Sequence, residues 1–133
     1  MHHRNLKVTF IMTKIRSIKF YKHYFKEFIN QQPPKVQDRI YGVLLAIETL
    51  ERIPSNYLKH IEGSKGLYEA RIRLGSNIWR VFCFFDDHKL VIVLNGFQKK
   101  TEKTPRKEID KALRLMHEYY HTKQNDNGYY DMG

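Results

Sequence analysis

The segment Leu67–Leu74 (Leu-Tyr-Glu-Ala-Arg-Ile-Arg-Leu) constrains the fold more than any other stretch of this chain. Tyr68, Ala70, Ile72 and Leu74 alternate with Glu69, Arg71 and Arg73, so a strand here has one apolar face and one charged face. Gly75-Ser76 follows, and Asn77–Phe85 resumes as a second strand, which reads as a β-hairpin. The second strand is apolar on both parities: Ile78, Phe82 and Phe84 on one, Trp79, Val81, Cys83 and Phe85 on the other. Arg80 is set between Trp79 and Val81, where a cation is costly unless it meets a carboxylate or a phosphate.

The remaining elements follow from the same periodicities. Lys14–Phe20 alternates as a short first strand. Tyr21, Tyr24, Phe25, Phe28 and Ile29 recur at helical spacing until Pro33-Pro34, and Val36, Ile40, Val43, Leu44, Ile47 and Leu50 predict a helix over Pro34–Arg52. Ser55–Lys65 reads as a loop, or a loop with a helical turn. Asp86-Asp87-His88 is a turn, and Leu90–Leu94 is a continuous apolar run of the kind found in a central strand covered on both faces. Thr104-Pro105 opens the last helix, with Thr104 as cap, Pro105 in the first turn and Glu108 near the positive end. Its predicted core stripe is Ile109, Ala112, Leu113, Met116 and Tyr120.

The order is strand, two helices, three-stranded meander, helix. It predicts an α+β domain with helices on one face of a mostly antiparallel sheet and the first strand joining an edge. With 133 residues the chain suits one domain over residues 12–121. Residues 1–11 read as an extension upstream of a native start at Met12, and residues 122–133 as a polar tail.

A net charge of +10 and a pI near 9.7 make the surface attractive to nucleic acid, to an anionic membrane or to an acidic protein. A single cysteine, Cys83, excludes an intramolecular disulfide, and no apolar run is long enough to span a bilayer, so a cytoplasmic location is expected.

Arg71 and Arg73 share a face, and Arg80 lies across the hairpin within reach of them, so three guanidinium groups converge as an anion platform. The alternative is an arginine paired with Glu69 or Asp86 on a solvated sheet. Lys99 and Lys100 follow the buried strand directly, with Lys103, Arg106 and Lys107 close behind and Lys59 and Lys65 in the earlier loop; the alternative for these is a solvated charge run. His117-Glu118-Tyr119-Tyr120-His121 matches the H-E-x-x-H zinc pattern, but the residues after it hold neither Glu nor His as a third ligand. A helix end is the better reading, and no metal or cofactor is expected. Cys83, between two phenylalanines, reads as a small core residue. Trp79, Phe82 and Phe97 offer base stacking or core packing, and His60 and His88 are loop histidines.

Lys59-His-Ile-Glu-Gly, Gly66-Leu-Tyr-Glu-Ala-Arg-Ile, Trp79-Arg-Val-Phe and Asn95-Gly-Phe-Gln-Lys-Lys-Thr-Glu-Lys-Thr-Pro, in this order and spacing, resemble HigB-like toxins of the RelE/ParE superfamily, including phage-derived members. The resemblance covers roughly Met12 to Tyr120. It implies a RelE-like fold, with two N-terminal helices and a C-terminal helix on a small, mostly antiparallel sheet. It also implies a metal-independent endoribonuclease that cleaves mRNA on the ribosome and is neutralised by a helix-turn-helix antitoxin. The family's basic positions fall on Arg71, Arg73, Arg80, Lys99 and Lys100; Lys59, Lys65, Lys103, Arg106 and Lys107 are the further candidate RNA-binding cations of this sequence. The tyrosine or histidine that some relatives carry near the C-terminus has no counterpart in Thr101–Lys107. Two alternatives belong to other classes: a superfamily toxin that inhibits DNA gyrase by protein binding, and a non-catalytic nucleic-acid-binding domain.

Overall fold

The computed structural model describes residues 13–125, so the expected upstream extension and most of the expected tail lie outside the described residues. Its elements are β1 (Ser17–Phe20), α1 (Tyr24–Asn30), α2 (Pro34–Thr49), β2 (Leu58–His60), β3 (Leu67–Leu74), β4 (Asn77–Asp87), β5 (Leu90–Lys99) and α3 (Arg106–Asn125). They build a five-stranded sheet of order β1-β5-β4-β3-β2. The β2–β3, β3–β4 and β4–β5 pairs are antiparallel, and β1 joins the edge parallel to β5.

This is the expected α+β architecture, with one correction to its layering. The helices are not all on one face. Phe25, Phe28 and Ile29 of α1 and Val36, Ile40, Val43, Leu44 and Ile47 of α2 pack against Ala70, Ile72, Trp79, Val81, Cys83, Val91 and Val93. Ala112 and Leu115 of α3 pack against Leu67, Phe82, Phe84, Ile92 and Leu94, the opposite parity of the same strands. A strand apolar on both parities needs cover on both sides, and the C-terminal helix supplies the second layer.

Smaller differences have local causes. The expected loop over Ser55–Lys65 contains β2, three residues paired with Tyr68–Ala70 and too short to show a period. The buried strand does not stop at Leu94 but runs to Lys99, through a register shift near Val81 and Cys83 that breaks its alternation. The buried stripe of α3 centres on Ala112 and Leu115, whereas Tyr120 is exposed. That helix continues to Asn125, past the start of the expected tail. Thr104 does not cap it: its hydroxyl donates to Glu69 Oε1 at 3.1 Å, and the Pro105 carbonyl receives the first helical N–H bonds, from Glu108 and Ile109.

Gly96 holds α1 close to the sheet. A Cβ there would lie 2.6 Å from Cδ2 of the buried Phe28 ring. Gly96→Ala is expected to lower stability by about 1–3 kcal/mol through overpacking, read as a lower midpoint in denaturant with unchanged m-value.

Candidate nucleic-acid interface

The charged parity of β3 and the matching positions of β4 and β5 form one surface. Arg71 is the cross-strand partner of Arg80, Arg73 faces Ile78, and Arg80 and Ile78 in turn face Phe97 and Lys99 of β5. The α3 helix covers the far end of this face, over Phe84 and Leu94. Directly opposed like charges repel, so the Arg71–Arg80 pair requires an anion between or beside its members.

That anion is Glu69, which is almost fully buried. Its Oε2 lies 3.4 Å from Arg80 Nε and 3.7 Å from Arg71 Nε, while Oε1 accepts the Thr104 hydroxyl. Glu69 is therefore the hub of the cluster. It holds two guanidinium groups and, through Thr104, tethers the segment between β5 and α3 to the sheet. Arg80 is slightly more buried than Glu69, and its Nη1 donates to the Trp79 carbonyl at 3.3 Å. Burial lowers the Arg80 pKa; Glu69 opposes this and the fields of Arg71 and Arg73 add to it. Lys99 is half-buried, and its pKa is lowered by burial first and then by Arg80, with Arg71 adding to it and Glu69 opposing. A lysine among guanidinium groups is thus brought closer to the range in which it can exchange a proton.

Of the sequence-predicted residues, Arg71, Arg73, Arg80 and Lys99 come together. Lys100 lies just past the strand end and is exposed. Lys59 is the cross-strand partner of Glu69, at the rim of the same face. Lys65, Lys103 and Lys107 are exposed, and Arg106 forms an exposed ion pair with Asp110 at 2.9 Å. Glu69 appeared in the sequence only as a possible partner of an arginine, and Thr104 only as a helix cap. Their shared hydrogen bond spans two elements far apart in the chain, which no local pattern marks.

Residues 27–117 match the family described as "Phage derived protein Gp49-like (DUF891)". The chain belongs to this family. No curated relative matches the Gp49-like chain. Among solved structures it is similar to the RelB-RelE antitoxin-toxin complex from Methanococcus jannaschii, at 18% identity and a TM-score of 0.46, covering 65% of this chain and 98% of that one. It is also similar to the archaeal RelE-RelB complex from Pyrococcus horikoshii OT3, at 20% identity and a TM-score of 0.44, covering 63% and 94%.

The other motifs resolve within the Gp49-like fold. Glu118 of the H-E-x-x-H run accepts from the Tyr21 hydroxyl at 2.5 Å and pairs with Lys22 at 3.0 Å, so its carboxylate is engaged as a tie between α3 and the β1–α1 turn. Among the described residues no group of three or more His, Cys, Asp or Glu is arranged to hold a metal ion. Asp86 does not serve the arginines; it accepts from Tyr119 and Lys123 of α3. Cys83 is buried, and burial pushes its thiol up to about 12, as an inert core residue requires. Trp79 and Phe82 are core, and Phe97 stacks on Phe82 with ring centroids 5.8 Å apart. His60 ends β2 edge-on to Tyr68, and His88 is exposed in the β4–β5 turn. No described helix is long and apolar enough to cross a membrane.

Proposed function

We propose that this chain is the toxin of a type II toxin–antitoxin system, a HigB-like member of the RelE/ParE superfamily that cleaves mRNA on the ribosome in the cytoplasm. Membership of the Gp49-like family supports the reading, and one observation carries it: Arg80 is buried 3.4 Å from Glu69, with Arg71 directly opposite and Lys99 beside it, so the cations gather around a single buried carboxylate. Preorganised cations aimed at a phosphate stabilise charge developing in the transition state without reorganising.

The chemistry proposed is attack of the ribose 2′-hydroxyl on the adjacent phosphorus. Arg71, Arg73 and Arg80 bind the phosphate oxygens and stabilise the pentacoordinate charge. Lys99 Nζ, in its neutral form, takes the proton from the 2′-hydroxyl. The bond from phosphorus to the 5′ oxygen then breaks, and that oxygen takes a proton from solvent, leaving a 2′,3′-cyclic phosphate and a 5′-hydroxyl. Lys100 adds positive charge at the strand end. Lys59, Lys65, Lys103, Arg106 and Lys107 bind phosphates on either side. The scheme uses no metal. The partner that silences such a toxin is a helix-turn-helix antitoxin with an acidic segment over the basic face.

The product ends test this reading. Translating ribosomes incubated with the protein should yield mRNA fragments with 5′-hydroxyl and cyclic phosphate ends, and a 2′-deoxy nucleotide at the cut position should block cleavage. Cleavage of the deoxy substrate would contradict the proposed chemistry.

The proton-transfer role of Lys99 has its own signature. A base must be neutral to act, so the cleavage rate should climb with pH until pH passes the Lys99 pKa, which burial and Arg80 have lowered. Lys99→Arg keeps the charge but stays protonated, so it should lose the rising limb and about 10²–10⁴-fold in rate. An unchanged pH–rate profile in this variant would reduce Lys99 to a binding cation.

A further inference from the structure

The platform does not end at Arg73. Beyond it, where β2 no longer covers the edge of β3, a groove of about 1030 Å³ opens between that edge and α2. Arg71 and Arg73 form one wall and Lys35 and Arg39 of α2 the other, with Gly42 and Tyr57 also in the lining. Asp38 is the only acidic residue lining it among the described residues. The groove and the candidate phosphate site share Arg71 and Arg73, so a strand held at one runs directly into the other.

We infer that this groove is a binding track for single-stranded RNA, taking nucleotides that flank the scissile phosphate; the inference rests on the ribonuclease reading and names residues outside its reacting centre. Three observations favour RNA. Cations line both walls, and two of them, Arg71 and Arg73, also belong to the phosphate site, as suits a groove that follows a polynucleotide backbone. Tyr57 is 36% exposed and makes no ring contact among the described residues, so its face is available to stack on a base. The third observation concerns the strand edge. Arg71 N–H already donates to the Tyr57 carbonyl at 2.8 Å, and the Arg73 carbonyl already accepts from Arg39 Nη1 at 2.9 Å. A peptide adding to the sheet as a further strand needs these main-chain groups, whereas a polynucleotide does not.

Gly42 makes the groove testable without disturbing the core, because a Cβ built there meets nothing within 4 Å. The probe is a fluorescent RNA of about ten nucleotides, fully 2′-O-methylated so that it binds without being cut. Gly42→Glu should keep the parent thermal midpoint yet weaken binding about tenfold, through repulsion and loss of a phosphate position. Gly42→Lys, similar in bulk but opposite in charge, should bind at least as tightly as the parent. Lys35→Ala should reduce the slope of log affinity against log salt by about 0.7, the value for one phosphate contact on a single strand. Parent-like RNA affinity in Gly42→Glu, equal weakening by Glu and Lys, or loss of binding to a glutamate-rich peptide with RNA binding intact would each overturn the inference. So would a parent protein that does not bind the probe. The cleavage reading is judged separately: if Arg80→Ala abolishes cutting while Gly42→Glu leaves RNA binding untouched, the ribonuclease stands and the track falls.

Discussion

Glu69→Leu is expected to destabilise the protein by about 3–5 kcal/mol, the usual consequence of removing one partner of a buried ion pair. Arg80 would then remain nearly fully buried without its carboxylate, beside Arg71 in direct cross-strand register. Thr104 would lose its acceptor, releasing the segment that joins β5 to α3. The double variant Glu69→Leu/Arg80→Leu should recover most of the loss, because an apolar pair of similar volume avoids the desolvation of both charges. Denaturant midpoints of the two single variants and the double variant measure this coupling directly. If the double variant is destabilised by the sum of the two singles, the pair is uncoupled and Glu69 is not the hub of the cluster.

The second large effect concerns activity. Arg80→Ala is expected to lower RNA cleavage by about 10²–10³-fold, the usual cost of one preorganised group aimed at developing charge. Arg80→Lys should recover little of it. A guanidinium presents a planar fork that bonds Glu69 and a phosphate along different edges, whereas an ammonium is a compact point charge. The two effects separate in the same protein, since removing Arg80 leaves Glu69 within reach of Arg71 and Thr104. Arg80→Ala should therefore lose much more activity than stability, and a loss of activity that merely tracks unfolding would refute a direct role on the phosphate.

The sequence revealed some of this readily, and some not at all. The alternation in Leu67–Leu74 put Glu69, Arg71 and Arg73 on one face, because a strand with one buried side must keep its parity. The convergence of Arg80 followed from the Gly75-Ser76 turn, which sets the hairpin register and brings Arg80 opposite Arg71. Which layer the last helix joins was not legible, since an amphipathic pattern announces a buried face but not the surface it is buried against. The sequence pattern places Lys99 after a strand that in fact contains it. The register shift near Cys83 and the unbroken apolar run hid the continuation of β5. β2 is invisible for a simpler reason: three residues are too few to show a period. Glu69 as hub and the track along α2 depend on contacts between distant elements, and only the folded chain brings those together.

The most direct test of the central claim is 5′-end mapping of total RNA after induction of residues 12–133 in a bacterial host, beside the Arg80→Ala chain. Growth arrest with new 5′ ends inside translated frames, absent from the variant, is the predicted result. Arrest without new RNA ends would contradict the ribonuclease and point to a protein target such as DNA gyrase, and cuts that persist in Arg80→Ala would contradict the site.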